Sequence, residues 1–262
     1  MSRMSPLRRF PGMRLGAGLF FVYLYVPIVI LIVLSFNANR SATIWTGFTT
    51  DWYGVVLANE AIVRAAYNSL IVATTASIAA TLFAIPAALG MSRRNFRGQS
   101  AINGTIALPL LVPEVVTAVA TLLFFVLAGI PLGLGTVILA HTVFCIPFAY
   151  LPIRARLEGM DPRLAEAAAD LYATPWEVFR RVTLPLMWPG VLSGLMLAFI
   201  ISLDDFVITY FVAGAGATTL PVYIYGAIRI GVSPEVNATS SFMLLISIAF
   251  VSLSFIVGRS RN

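Results

Sequence analysis

Three acidic residues stand inside stretches of sequence that are otherwise apolar: Glu114 and the neighbouring pair Asp204 and Asp205. A carboxylate at the centre of a bilayer costs about 2.5–3.5 kcal/mol on insertion scales, so such residues usually face a cavity or a partner. The chain has no Lys, and none of its Arg residues lies well inside an apolar stretch. Acids without basic partners suit a path for cations. Adjacent residues point about 100° apart on a helix. One Asp is therefore expected toward the path and the other capping, hydrogen-bonded or at a subunit contact. Ser202 is three residues before Asp205 and shares its face. The bland alternative is that all three acids only bridge helices, as polar residues do in membrane proteins. Aromatic rings offer a second chemistry for cations. Trp52, beside Tyr53, and Tyr25, near Pro27, have faces able to hold an ammonium group. Trp and Tyr also populate ordinary interfacial belts.

Other chemistries are poorly served. A P-loop needs a Lys to reach nucleotide phosphates, so this chain is not expected to be its own ATPase. The only His, His141, and the only Cys, Cys145, are four residues apart and share a helix face. Two ligands are too few for a closed metal site, so they read as packing residues and no metal is expected. A catalytic Ser-His-acid set would need that same His141, and no nucleophile elbow is present. An enzyme is not expected. A single Cys excludes an intramolecular disulfide.

The elements that must position these residues follow from composition. Hydrophobic residues make up 59% of the chain and charged residues 11%, against roughly 45–50% and 25% in soluble domains. The apolar residues form six runs long enough to cross a hydrocarbon core, at about 15–36, 65–90, 101–128, 135–153, 189–213 and 238–258. The expected fold is all-α and integral to the membrane, one domain over 1–262. The first run is too long for a signal-peptide core and lacks a clear cleavage site, so it counts as a span. Arg residues orient the spans. Fourteen of 17 fall before span 1, between spans 2 and 3, between spans 4 and 5, and after span 6, against Arg40, Arg64 and Arg229 on the other side. The positive-inside rule then puts both termini in the cytoplasm. Counting from Ala101 and Pro189, Glu114 and Asp204 are 13 and 15 residues along their spans. At 1.5 Å per residue they stand roughly 20 and 22 Å up, at one level in the outer half.

One polar segment, 166–185 (EAAADLYATPWEVFRRVTLP), reads as ordered helix between apolar runs. A helix start is expected at Asp161-Pro162, and a second at Thr174-Pro175-Trp176-Glu177, a capping box with Pro at the first helical position. Two short helices and a turn on the water side suggest a docking surface. The stretch TTLPVYIYGAIRI, in the loop 214–237, is expected to return as a short interfacial helix.

Glu166-Ala167-Ala168, followed by an apolar helix and Leu184-Pro185, resembles the EAA signature of bacterial ABC importer permeases, the binding-protein-dependent type I family. NSL at 68–70, SLDDFVITYFVAG at 202–214 and GVSPEVNA at 231–238 are similar to its spermidine/putrescine branch, in particular the second permease subunit. The resemblance implies a type I permease fold with six transmembrane helices, and a cytoplasmic coupling loop at about 154–188 that seats in a groove on a separate ATPase. By resemblance Glu166 contacts the ATPase or holds the loop, Ala167 and Ala168 allow close approach, and Asp170, Tyr172, Ala173 and Thr174 belong to the part that fills the groove. It further implies a related permease as partner, two copies of the ATPase, and a periplasmic or lipid-anchored binding protein. No cofactor is expected in this chain; ATP and Mg belong to the ATPase subunits. The location implied is the bacterial inner membrane. An opine, a phosphonate or ferric ion are alternative solutes, and a self-contained carrier or channel is the rival class. One position departs from the family: it usually has Gly six residues after the Glu, where this chain has Tyr172. Either the turn forms differently, through Ala173 and Thr174, or Tyr172 fills a pocket on the ATPase.

Overall fold

A computed structural model of the chain describes residues 11–41, 44–92, 96–231 and 233–259. Of the Arg residues used for orientation, Arg3, Arg8, Arg9, Arg93, Arg94 and Arg261 lie outside the described residues. The described chain is helical, with no named strand: α1 (Pro11–Leu34), α2 (Asp51–Ala58), α3 (Glu60–Ser92), α4 (Gln99–Leu111), α5 (Glu114–Leu127), α6 (Leu134–Glu158), α7 (Arg163–Asp170), α8 (Pro175–Val178), a π turn (Phe179–Thr183), α9 (Leu184–Asp204), α10 (Val207–Val212), α11 (Leu220–Ile230) and α12 (Pro234–Arg259). By length and composition four helical stretches can cross a membrane: 15–34, 60–92, 134–158 and 175–204. A fifth is counted if α4 and α5 form one span, bent by 107° at the break between them. The expected run 238–258 falls within α12.

The chain divides into two compact units. One holds the described residues up to Asn59 with Gly226–Leu244. Within it the loop after α1 has its own polar core. Asn37 donates through Nδ2 to the carbonyls of Ser41 and Ile44, and Trp52 Nε1 donates to the Asn37 carbonyl at 2.8 Å.

The second unit holds Glu60–Tyr225 and the chain from Leu245 onward. Its centre is the packing of α3, α6 and α9. Small residues make that packing possible. Ala73, Ala76, Ala80, Ala84 and Ala88 recur every three or four positions and are fully buried along one face of α3. Hydrocarbon solvates Leu as well as another helix does, so close backbone approach is what favours association. On α9 the spacing Gly190-x-x-x-Gly194 serves the same end. A Cβ on Gly190 would lie 2.6 Å from Arg156 Cβ, and one on Gly194 would lie 2.5 Å from the Ala149 carbonyl oxygen of α6.

Two helical stretches break where the acids sit. Val112 precedes Pro113, whose ring disfavours a helical Val112; both residues are extended (ψ 134° and 133°), and α4 stops there. The other break follows Asp204, where Asp205 is extended (φ −65°, ψ 126°) with no proline present. The straight-helix depth count for Glu114 is thereby overturned, since a 107° bend intervenes between Ala101 and Glu114.

Candidate functional site

The two breaks bring the acids together. Glu114 opens α5, Asp204 closes α9 and Asp205 follows it. All three line one cavity of about 400 Å³. Asp204 is exposed, whereas Asp205 is 7% exposed. Phe144 and Phe148 of α6, their ring centroids 5.5 Å apart, and Phe206 complete the aromatic part of the wall. Carboxylates beside aromatic faces suit an organic cation carrying ammonium groups. These phenylalanines are absent from the residues singled out by sequence. Their i, i+4 spacing on α6, three and seven residues after His141, is the signal that pointed to them.

Asp205 is held by three donors on one oxygen. Its Oδ1 accepts from the Thr209 backbone N–H at 3.0 Å and from the Thr209 hydroxyl at 3.3 Å, and His141 Nε2 stands 3.1 Å away. The backbone bond replaces, from a side chain, an acceptor that the broken helix no longer supplies. His141 Nε2 is also 2.9 Å from Thr209 Oγ1, and its Nδ1 is 2.8 Å from Ser202 Oγ. This corrects two expectations. Asp205 does have a potentially basic partner in this chain, because α6 crosses α9 with His141 turned toward the break. His141 is correspondingly more than a packing residue. Ser202 is buried behind Asp205 on His141 rather than among the residues lining the cavity. Cys145 turns its Sγ to the Ala198 carbonyl at 3.5 Å, so it and His141 engage α9 through separate partners.

Trp52 and Tyr25 belong to the first unit. The Trp52 indole N–H is spent on Asn37. Tyr25 is exposed on α1 and stacks on Phe21 with centroids 6.3 Å apart. The NSL motif has a local role: Asn68 Nδ2 donates to the Gly216 and Thr218 carbonyls, and Ser69 Oγ accepts from the Leu220 N–H. They tether the 214–220 loop that leads into α11.

The polar segment forms two short helices as expected. Asp161 Oδ1 accepts from the Arg163 N–H, two residues on, the bond expected of a capping Asp followed by Pro162, and α7 runs from Arg163. The second start is the expected box: Thr174 Oγ1 accepts from the Glu177 N–H at 3.4 Å, while Glu177 Oε2 accepts from the Thr174 N–H at 2.9 Å. Pro185 lacks the N–H that would bond the carbonyl four residues back. Just before it the helix widens into a π turn, with Leu184 N–H donating to the Phe179 carbonyl.

The turn between α7 and α8 corrects one alternative. It does not form through Ala173 and Thr174. Tyr172 itself takes the left-handed conformation, φ 61°, the only described non-Gly residue with positive φ. Tyr172 N–H donates to the Ala169 carbonyl and Ala173 N–H to the Ala168 carbonyl, the paired bonds of a Schellman C-cap. A Gly at this position would be free of strain; a Tyr costs about 1–2 kcal/mol. Its side chain is 97% exposed, beside Leu171 at 82%. Glu166, Ala167 and Asp170 are exposed on α7, and Ala168 and Ala173 half-buried. Behind them, Asp161, Leu164 and Glu166 line a cavity of about 430 Å³ with Val182 and Thr183.

The described residues are helical, with breaks beside an acid-bearing, largely apolar cavity and a helix–turn–helix segment before α9, an arrangement that fits a membrane permease. Residues 80–261 match the family described as binding-protein-dependent transport system inner membrane component. The chain belongs to that family. It is 39% identical over 242 residues to the spermidine/putrescine transport system permease protein PotC of Escherichia coli (strain K12), covering 92% of each. It is 40% identical over 231 residues to the putrescine transport system permease protein PotI of the same strain, covering 86% of this chain and 82% of that one. Among solved structures, a bacterial ABC transporter involved in the import of the acidic polysaccharide alginate superposes with TM-score 0.72 at 17% identity, covering 99% of both chains. The MetNI methionine ABC transporter, in an inward-facing form, gives 0.66 at 21% identity, covering 76% of this chain and 95% of that one. These two likenesses show the fold.

Proposed function

We propose that this chain is the permease subunit that carries polyamines inward in an ATP-driven importer of the inner membrane. The observation that carries the reading is the convergence of Glu114, Asp204 and Asp205 on one aromatic-walled cavity at two helix breaks. Relatives at 39–40% identity named for spermidine and putrescine support the same substrate class. In this reading the acids replace water around the ammonium groups as they pass, and Ser202 acts behind Asp205. Trp52 and Tyr25 meet the substrate on its way in. The chain is one permease domain of six spans with both termini in the cytoplasm. It pairs with a related permease, receives substrate from a periplasmic or lipid-anchored binding protein, and is driven by two copies of a cytoplasmic ATPase. ATP and Mg bind on those subunits. The segment 166–185 couples them to the spans: Glu166, Ala167, Ala168, Asp170, Tyr172, Ala173 and Thr174 form the docking face. Closure of the ATPase dimer opens the path outward and hydrolysis resets it inward.

Asp204→Asn and Glu114→Gln are expected to lower uptake of labelled putrescine or spermidine severalfold with the complex still assembled. Wild-type uptake by both variants removes the acids from the path. Another small solute in the same machine predicts that a polyamine panel, supplied with the cognate binding protein, leaves ATP hydrolysis unstimulated. A self-contained carrier predicts transport by this chain alone, without ATP.

A further inference from the structure

The polar atoms around Asp205 leave one of its oxygens over. The hydrogen bonds that Asp205 accepts from Thr209 and the His141 contact all fall on Oδ1; the buried Oδ2 receives none of them, and the Glu114 carboxyl group is the side chain that also pairs with Asp205. A buried carboxylate oxygen without a donor is costly, and such an atom in a native fold marks a place where a donor arrives. Asp205 lines the cavity shared with Glu114 and Asp204, so a donor that reaches this carboxylate in place of Glu114 comes from that side.

What keeps the carboxylate in this pose is His141. A carboxylate only accepts, so Nε2 is the protonated nitrogen facing Asp205 Oδ1 and Thr209 Oγ1. The Thr209 hydroxyl spends its own proton on Asp205, which leaves its oxygen free to accept from Nε2. Ser202 on Nδ1 holds the ring in this tautomer. His141 comes from α6, Ser202 from α9 and Thr209 from α10. One imidazole, 1% exposed, therefore ties three elements around the break.

We propose that His141 is a positioning residue of the transport site: by engaging Asp205 Oδ1 it fixes that carboxylate at the cavity beside Glu114, where the acids meet a substrate ammonium group. The inference rests on the pathway reading of the acids. It adds a residue outside the cavity wall that acts only through Asp205.

The test uses the assembled transporter in proteoliposomes, with the partner permease, ATPase and binding protein, and labelled putrescine as the probe. His141→Phe lowers uptake at least about tenfold, the scale of losing a hydrogen bond to a charged group, while binding-protein-stimulated ATP hydrolysis persists. His141→Gln, whose amide retains a donor, restores part of that uptake. In an Asp205→Asn background His141→Phe lowers uptake no further, because its target is already lost. Thr209→Val removes the bridging hydroxyl at nearly constant volume and gives a smaller fall in the same direction, which keeps the test decisive where the Phe variant does not fold. Equal falls in both backgrounds, or joint loss of uptake and ATP hydrolysis in variants that assemble, overturn the positioning role. Unchanged uptake in Thr209→Val also overturns it. Wild-type uptake by Asp205→Asn is a separate failure, that of the pathway reading itself.

Discussion

Tyr172 shows how much a single dihedral can say. A bulky side chain in the left-handed region is strained, and here it is held by the two C-cap bonds from Tyr172 and Ala173. Tyr172→Gly is expected to relieve roughly 1 kcal/mol, slowing local hydrogen exchange of the α7–α8 turn about fivefold. If the exposed ring also docks on the ATPase, the same variant binds that subunit less tightly despite its firmer turn. A Gly variant with unchanged exchange and unchanged ATPase affinity would deny Tyr172 both effects. Glu166 belongs to this scale too. It is exposed on α7, so Glu166→Lys is expected to weaken ATPase association or stimulated hydrolysis without unfolding the permease. Normal values for both would remove it from the docking face.

Among the elements, the crossing of α6 and α9 is the most exacting. The approach at Gly194 leaves no room for a Cβ beside the Ala149 carbonyl. Gly194→Val must push backbone rather than a flexible side chain, and overpacking of this kind costs about 1–3 kcal/mol or more. The expected outcome is a lowered melting temperature and reduced recovery of the folded permease in size-exclusion chromatography. Gly90, late in α3, has open space for 4 Å around the place a Cβ would occupy, so Gly90→Ala serves as the control and is expected to be neutral or slightly stabilising. Equal behaviour of the two variants would contradict the close crossing. The same crossing sets His141 against Ser202 and the break at Asp205. Packing of small residues and the geometry of the polar site are thus one arrangement.

At the scale of the whole molecule the open quantity is orientation. With both termini inside, a fluorescent protein fused after Asn262 should mature in the cytoplasm, and alkaline phosphatase at the same place should stay inactive. Tyr172→Cys gives an independent reading, since position 172 is almost wholly exposed whereas the native Cys145 is buried. A membrane-impermeant maleimide should label that variant in inside-out vesicles and not in intact cells. Labelling from outside would invert the topology and the coupling role together.

Much of this protein is legible along the chain. Apolar run length placed the helices because burying backbone polar groups in hydrocarbon leaves the helix as the available local solution. Thr174, Pro175 and Glu177 announced α8 because a capping box is satisfied within four residues. Val112-Pro113 lay within reach of the same reasoning, since Pro acts on its immediate neighbour, although the 107° size of the bend did not. The break at Asp205 has no local cause of that kind. It depends on Thr209 and on His141, 64 residues earlier in the sequence. The sequence by itself therefore determined the membrane class, the two short helices around Tyr172 and which acids stand within apolar stretches, all consequences of short-range pattern. Only the tertiary structure decided that Asp205 is held from α6, that Ser202 stands behind it and that Phe144 and Phe148 line the same cavity, because those relations arise where helices cross and have no period along the chain.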